Sequence, residues 1–323
     1  MNDTDPPISP DQLEHLRLKL RKTIPMRGTG AHLRRRAGHS LTFRDYRDYQ
    51  IGDDIRQVDW RASLRAGRPD ERVIRRFEAE EQMSVLLIVD ARPAMQLPVG
   101  TEKLLYALWS LRALAQVAAR NGDEVVLATM FSRHDTRPVV SRGRDAIRAA
   151  AQFAEAIWTE GAEAPLASIP VCDLSVLTRR LRPASAVVLL SDLLFDDPGG
   201  AVGSFAMTAQ KSWRQLLVQR LDTARAELAK ARRDGQVRVN PVEGRSFDSG
   251  VFDVNDMFER DVRERIEGHV DRRLAAWKGP GLTVEAPVVW PVGETRDAMR
   301  QRFAADFPSG GLFSGIAARG GIA

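Results

Sequence analysis

Cysteine is almost absent, with Cys172 the single one in 323 residues. One thiol excludes an intrachain disulfide framework and makes a reducing compartment the default. Long apolar runs are missing too. The longest, such as "VLLIV" at Val85 to Val89, fall far short of the roughly 20 residues a membrane helix needs. The start, "MNDTDPPISPDQ", lacks the basic-then-apolar order of a secretory leader, so a soluble cytoplasmic protein is expected. No P-loop, dinucleotide-binding glycine fingerprint or nucleophile elbow occurs. His15, His32, His39, His134 and His269 show no zinc-like spacing with one another or with Cys172. Lysine is scarce, and the net charge of +5 is carried by arginine. Most arginines have an acid within a few residues, which argues against a nucleic-acid face. The exception, "HLRRRAGH" at His32 to His39, reads as a solvated arm.

What remains is ordinary globular material, 43% hydrophobic and 28% charged, enough for two modest domains or one with an extension. Pro6, Pro7 and Pro10 bracket a disordered start. A helix over "SPDQLEHLRLKLRK" is predicted next, capped by Ser9 with Leu13, Leu16 and Leu20 on one face. Residues 25 to 38 read as a mobile loop, and "ERVIRRFEAEE" as a strand. From Ser84 the character changes. "SVLLIVD" and "SAVVLLSD" are aliphatic runs ending in an acid, the pattern of parallel strands buried on both faces. "DEVVLATMF", "TRPVVS", "QVRVNPV" and "GLTVEAPVVW" read as further strands. Helices are predicted over "TEKLLYALWSLRALAQVAARNG" (capped by Thr101, closed at Asn121-Gly122), "GRDAIRAAAQFAEAIW", "CDLSVLTRRLRP", Trp213 to Arg233, Asp256 to Trp277, and "ETRDAMRQRFAADF". The tail from Pro308 reads as frayed.

Strands alternating with helices imply an α/β, doubly wound, mostly parallel sheet with an N-terminal extension. In such sheets ligands sit at the carboxyl ends of the strands, where strand order reverses. Asp90 and Asp192 both end strands. Neighbouring at that point, they would face one crevice and suit a divalent cation.

Residues Phe43 to Arg65, "FRDYRDYQIGDDIRQVDWRASLR", crowd arginines, acids and aromatic rings together. Acids so close to arginines are ionised and paired, with lowered pKa values, the opposite of what a catalytic acid needs. The favoured reading is a structural clasp. Asp53 or Asp54 caps a helix after Gly52. Arg47, Arg56 and Arg65 fork onto Asp59, Glu78 or Glu80, under Tyr49 and Trp60. A docking surface is the second reading and a nucleic-acid surface the third.

This stretch also resembles the signature of a bacterial family, domain of unknown function 58. The matching residues are Phe43, Arg47, Tyr49, Gly52, Asp53, Asp54, Arg56, Asp59, Trp60 and Arg65, followed by Phe77, Glu78, Glu80 and Asp90. The resemblance spans residues 39 to 307. It implies a von Willebrand factor A-like domain over 84–307, preceded by the signature segment (39–83) and an N-terminal helix and loop (1–38), with a flexible tail (308–323). It further implies a non-enzymatic adaptor for a MoxR-type AAA+ ATPase, assembling or maturing a client protein. Von Willebrand A domains carry a metal-ion-dependent adhesion site, D-x-S-x-S, with a Thr and a second Asp from other loops. Here Asp90 and Asp192 match, but Arg92 and Ala94 stand where both hydroxyls belong. Alanine offers no ligand and a guanidinium repels Mg²⁺. The expectation is therefore a degenerate site and an interaction crevice rimmed by Asp90, Arg92, Ala94, Asp192 and the loop "LLFDDPGG". Arg92 would then act as a built-in cation between the two acids. The alternatives are an Arg92 in solvent, or a cation-dependent ligand-binding domain with substitute ligands.

Overall fold

The computed structural model describes residues 2–14, 16–18, 41–49, 55, 58–65, 73–79, 83–131, 137–163, 171–181, 185–212, 214–239, 250–310 and 313–315. In chain order its elements are α1 (Pro10–Glu14), β1 (Leu16–Leu18), β2 (Leu41–Asp48), α2 (Trp60–Arg65), β3 (Val73–Ala79), β4 (Ser84–Val89), α3 (Lys103–Arg120), β5 (Glu124–Thr129), β6 (Val139–Arg142), α4 (Gly143–Glu163) and α5 (Leu174–Arg180). Then come β7 (Ala186–Ser191), α6 (Ala201–Thr208), β8 (Gln215–Asp222), α7 (Ala224–Asp234), β9 (Gln236–Val239), β10 (Gly250–Asp253), α8 (Asp256–Ala276), β11 (Leu282–Val284), β12 (Val288–Val289), α9 (Arg296–Asp306) and β13 (Phe313–Gly315).

The principal sheet has seven strands in the order β11-β8-β7-β4-β5-β6, with β12 also pairing β8. All pairings are parallel except β5 with β6. Counting only its main strands along the chain, the order is 3-2-1-4-5-6. It reverses between β4 and β7, the switch point of a doubly wound sheet. The expected α/β class is what the chain adopts.

Two apolar layers explain why β4 is aliphatic throughout. Val85, Leu87 and Val89 face a layer with α3, α4 and α9, while Leu86 and Ile88 face one with α5, α6 and α8. A strand buried on both faces needs no polar alternation. Tyr106, Trp109, Trp290 and Phe303 interlock in the first layer, with Tyr106 edge-on to Phe303 at 4.9 Å.

Four predictions about elements need correcting. The helix predicted over Ser9 to Lys22 stops at Glu14, and Leu16–Leu18 instead pairs antiparallel with Phe313–Gly315, inside the stretch read as a frayed tail. The start read as disordered is packed on α3. Thr4 is fully buried, the Trp109 indole donates to the Asp3 carbonyl at 2.8 Å, and Arg112 pairs with Asp5 at 2.8 Å. The helix predicted over Trp213 to Arg233 is strand β8 followed by α7; Leu216, Leu217 and Val218 are buried, and pairing with β7 overrides local propensity. Thr101 does not cap α3; the cap position is Glu102, whose side chain makes no capping bond.

Contacts divide the chain into two units, Met1–Pro25 with Met83–Ala323, and Met26–Gln82. In the second unit β2 and β3 form an antiparallel pair with an irregularity between Phe43 and Asp45.

Candidate functional site

The site grows from the switch point. β4 ends at Val89, and the Asp90 amide still pairs with the Leu190 carbonyl at 3.0 Å, so Asp90 emerges beside the end of β7. One residue past β7 stands Asp192. Asp90 and Asp192 therefore stand side by side at the ends of adjacent strands, with Arg92 between them.

The Arg92 guanidinium donates through Nε and Nη2 to Asp90 at 3.0 and 2.8 Å, and through Nη2 to Asp192 Oδ1 at 2.6 Å. Lys103 Nζ donates to Asp192 Oδ2 at 2.8 Å. Ser191 Oγ donates to Asp90 Oδ2 at 2.7 Å and accepts from the Leu193 amide at 2.9 Å. The Leu194 amide supplies another donor to Asp192 at 2.9 Å. Asp90, Arg92, Asp192 and Lys103 are 0%, 2%, 2% and 4% exposed. Arg92 is thus not in solvent. Two carboxylates and two cations form a neutral buried quartet, the condition under which charges leave water without a prohibitive cost. Phe131 and Phe195 rings lie 5.3 and 5.4 Å from the guanidinium carbon.

Electrostatics follow from this packing. Burial works to raise the Asp192 pKa, but the Lys103 and Arg92 charges outweigh it and hold the carboxyl well below the usual carboxylate range. Burial likewise works to lower the Lys103 pKa. The Asp192 and Glu227 charges prevail, so the ammonium is held above its ordinary value. Both groups stay ionised near neutrality. A small cavity of about 50 Å³, bordered by Lys103, Asp192, Arg220, Asp222 and Glu227, adjoins the quartet.

Local backbone serves the same end. Ala94 sits in a single 3-10 turn, Pro93–Gln96, and contributes no polar side chain. Leu193, fully buried, adopts φ 63° directly after Asp192. A left-handed leucine costs about 1–2 kcal/mol, tolerated where surrounding bonds dictate the conformation. Asp197 closes the loop "LLFDDPGG" by accepting from the Val202 and Gly203 amides at 3.2 and 2.8 Å, capping α6.

Sequence reasoning missed Lys103 and Ser191. A lysine in the first turn of a helix opposes the helix dipole, and that broken local rule was the available signal. Ser191 was legible only as the residue before a strand-end acid. Of the signature residues, Gly52, Asp53, Asp54, Arg56 and Glu80 lie outside the described residues, and for Phe43, Arg47 and Glu78 only the backbone is described. Phe43 pairs with Phe77, and Arg47 with Ile74, across β2 and β3. Asp59 has a definite role. Its carboxylate accepts from the Arg61 and Ala62 amides, both at 3.1 Å, and so caps α2. Trp60 is 54% exposed, Tyr49 half-buried and Arg65 exposed. The arm His32 to His39, with His15 and His134, lies outside the described residues; His269 is half-buried, its Nε2 3.3 Å from the Phe195 carbonyl. Among the described residues no group of three or more His, Cys, Asp or Glu is placed to hold a metal ion, and no helix is long and apolar enough to cross a membrane.

The sequence model of a family described as "Protein of unknown function DUF58" matches residues 45–272. The chain belongs to that family. The match takes in part of the signature stretch and the whole quartet, so this DUF58 chain carries its buried charges inside the family's own region. Among solved structures, the crystal structure of conserved hypothetical protein BatB from Bacteroides thetaiotaomicron is similar at 16% identity and a TM-score of 0.36, covering 70% of this chain and 98% of that one. No curated protein matches the chain.

Proposed function

We propose that this DUF58 protein is a non-enzymatic protein-interaction module with a von Willebrand A-like domain, whose adhesion-type metal position has been taken over by its own side chains. The observation that carries this reading is the Arg92 guanidinium between Asp90 and Asp192. A divalent cation does not fit this arrangement. Asp90 accepts from Arg92 and Ser191, and Asp192 from Arg92, Lys103 and the Leu194 amide, so an ion would have to displace a buried guanidinium and approach a buried ammonium. General acid catalysis is equally disfavoured, because Asp192 is held in its charged form.

The family resemblance supplies the partner. The protein would act in the cytoplasm as an adaptor for a MoxR-type AAA+ ATPase in the assembly or maturation of a client, with Ala94 and the loop after Asp192, which lie over the buried quartet, as the contact surface. The test is affinity capture from the native host in Mg²⁺ and in EDTA, with the captured proteins identified by mass spectrometry. Recovery of an AAA+ ATPase under both conditions supports the adaptor reading. Loss of that ATPase in EDTA, with the nucleotide-binding state of the ATPase held fixed, would restore a cation-dependent ligand-binding domain.

A further inference from the structure

Away from the quartet, α6 and α8 border an open groove of about 790 Å³. Its lining carries three cationic side chains, Lys211, Arg272 and Arg273. Lys211 and Arg272 are exposed there, and among the described residues neither has an acidic partner; Arg272 makes one bond, from Nε to the Gly268 carbonyl. Arg273 donates through Nη2 to the Phe195 carbonyl and lies 3.1 Å from His269 Nε2, while its Nε is buried without an acceptor. The Trp277 side chain is 3% exposed, and no acceptor among the described residues meets its indole Nε1–H. That nitrogen lies at the groove floor, because a Cβ on Gly203 would stand 3.6 Å from it. The single acid in the lining, Asp197, has both oxygens committed to the α6 amides. Of these donors the Arg273 Nε–H is the buried one without a partner among the described residues, and a ligand acceptor would supply it.

We propose that this groove binds an acidic, linear segment of a partner protein. The partner's carboxylates would lie against Lys211, Arg272 and the Trp277 N–H, and an apolar side chain would rest on Met207. Charge complementarity selects the class, since three cationic side chains in the lining face a single carboxylate, Asp197, whose oxygens already accept from the α6 amides. Met207 is 39% exposed on the same wall, and methionine adapts to varied apolar partners. Nucleic acid is the poorer fit. Trp277 is stacked on Phe195 with centroids 6.3 Å apart and offers no face for a base. This inference rests on the reading of the chain as an interaction module and names the chemistry of what it holds. The groove also touches the quartet through one ring, for both Arg92 and Arg273 lie over Phe195, at 5.4 and 3.7 Å.

The test uses the full chain and a fluorescein-labelled Glu-Glu-Leu-Glu-Glu peptide, followed by anisotropy. Saturable binding is expected, with loss for the Gln-Gln-Leu-Gln-Gln counterpart. Lys211→Glu/Arg272→Glu should weaken binding by about tenfold or more. Gly203→Leu, which fills the floor, should do the same, each variant keeping the parent's thermal midpoint. In a ¹⁵N spectrum the Trp277 indole signal, assigned by its loss in Trp277→Phe, should move on peptide addition. Absence of saturable binding, or equal binding by the charge-reversed variant, overturns the proposal. Tighter binding of labelled oligothymidylate, sensitive to the same variants, would also overturn it and give the groove to nucleic acid. If the peptide fails while the ATPase is still captured from the host, the groove assignment alone falls.

Discussion

Arg92 Nη2 and Asp192 Oδ1, 100 residues apart in the chain, meet at 2.6 Å with both side chains almost wholly removed from solvent. A buried pair of this kind stabilises little against an apolar replacement of both partners, but removing one partner strands the other. Arg92→Ala is expected to cost about 3–5 kcal/mol of unfolding free energy, measured by urea titration. Arg92→Lys should cost less, because the charge remains while the fork is lost. An alanine variant as stable as the parent would remove the quartet from any account of the fold.

The two shifted groups set opposite edges of a pH window. Lys103 is raised above its ordinary 10.5, so its contribution is complete below that value and is lost as pH rises through the higher folded pKa. Asp192 is depressed below its ordinary 3.8, so its contribution is present above that value and is lost as pH falls through the lower folded pKa. Urea midpoints across pH should show an alkaline decline beginning near 10.5 that Lys103→Met flattens. An unchanged alkaline limb in that variant would contradict the assignment.

The proposed exclusion of a divalent cation has a thermal signature. Melting midpoints in Mg²⁺ and in EDTA should coincide, since only an ion that binds the folded state stabilises it by mass action. A midpoint several degrees higher in Mg²⁺, abolished by Asp90→Asn, would place an ion at the quartet.

Asp59 offers a local test of the signature segment. Losing its two cap bonds should cost about 1 kcal/mol, in the usual range for an N-cap deletion. If the segment also clasps the rest of the chain, Asp59→Ala should make residues 39–83 more protease-sensitive than the sheet. Cleavage at the parent's rate throughout would count against the clasp.

The N-terminal segment packed on α3 makes a fifth case. Trp109→Phe keeps most of the aromatic packing but deletes the donor to the Asp3 carbonyl. Faster amide exchange over residues 2–8, with little change in α3, is the expected outcome.

How much of this the sequence showed can be traced residue by residue. Asp90 and Asp192 were legible because a parallel strand buried on both faces writes itself as an unbroken aliphatic run, and the acid ending each run stands out. Arg92 was legible as a departure from a motif. Its burial was not, since that depends on Phe131, Phe195 and Lys103, which come from three separate elements. Gln215–Asp222 was read as helix because glutamine and arginine interrupt its apolar residues; its place between β7 and β11 is a long-range fact. Leu16–Leu18 failed for the same reason, its partner lying near residue 314. The groove donors left no trace, because an unmet N–H is a property of what surrounds it.

That last pairing bears on how the protein is made. Ribosomal synthesis delivers Leu16–Leu18 early and Phe313–Gly315 almost 300 residues later. Throughout that interval β1 lacks its strand partner and stands as an open edge, able to template another strand. A nascent chain stalled before residue 313 would therefore display an unsealed strand, a handle for chaperones and a liability in their absence.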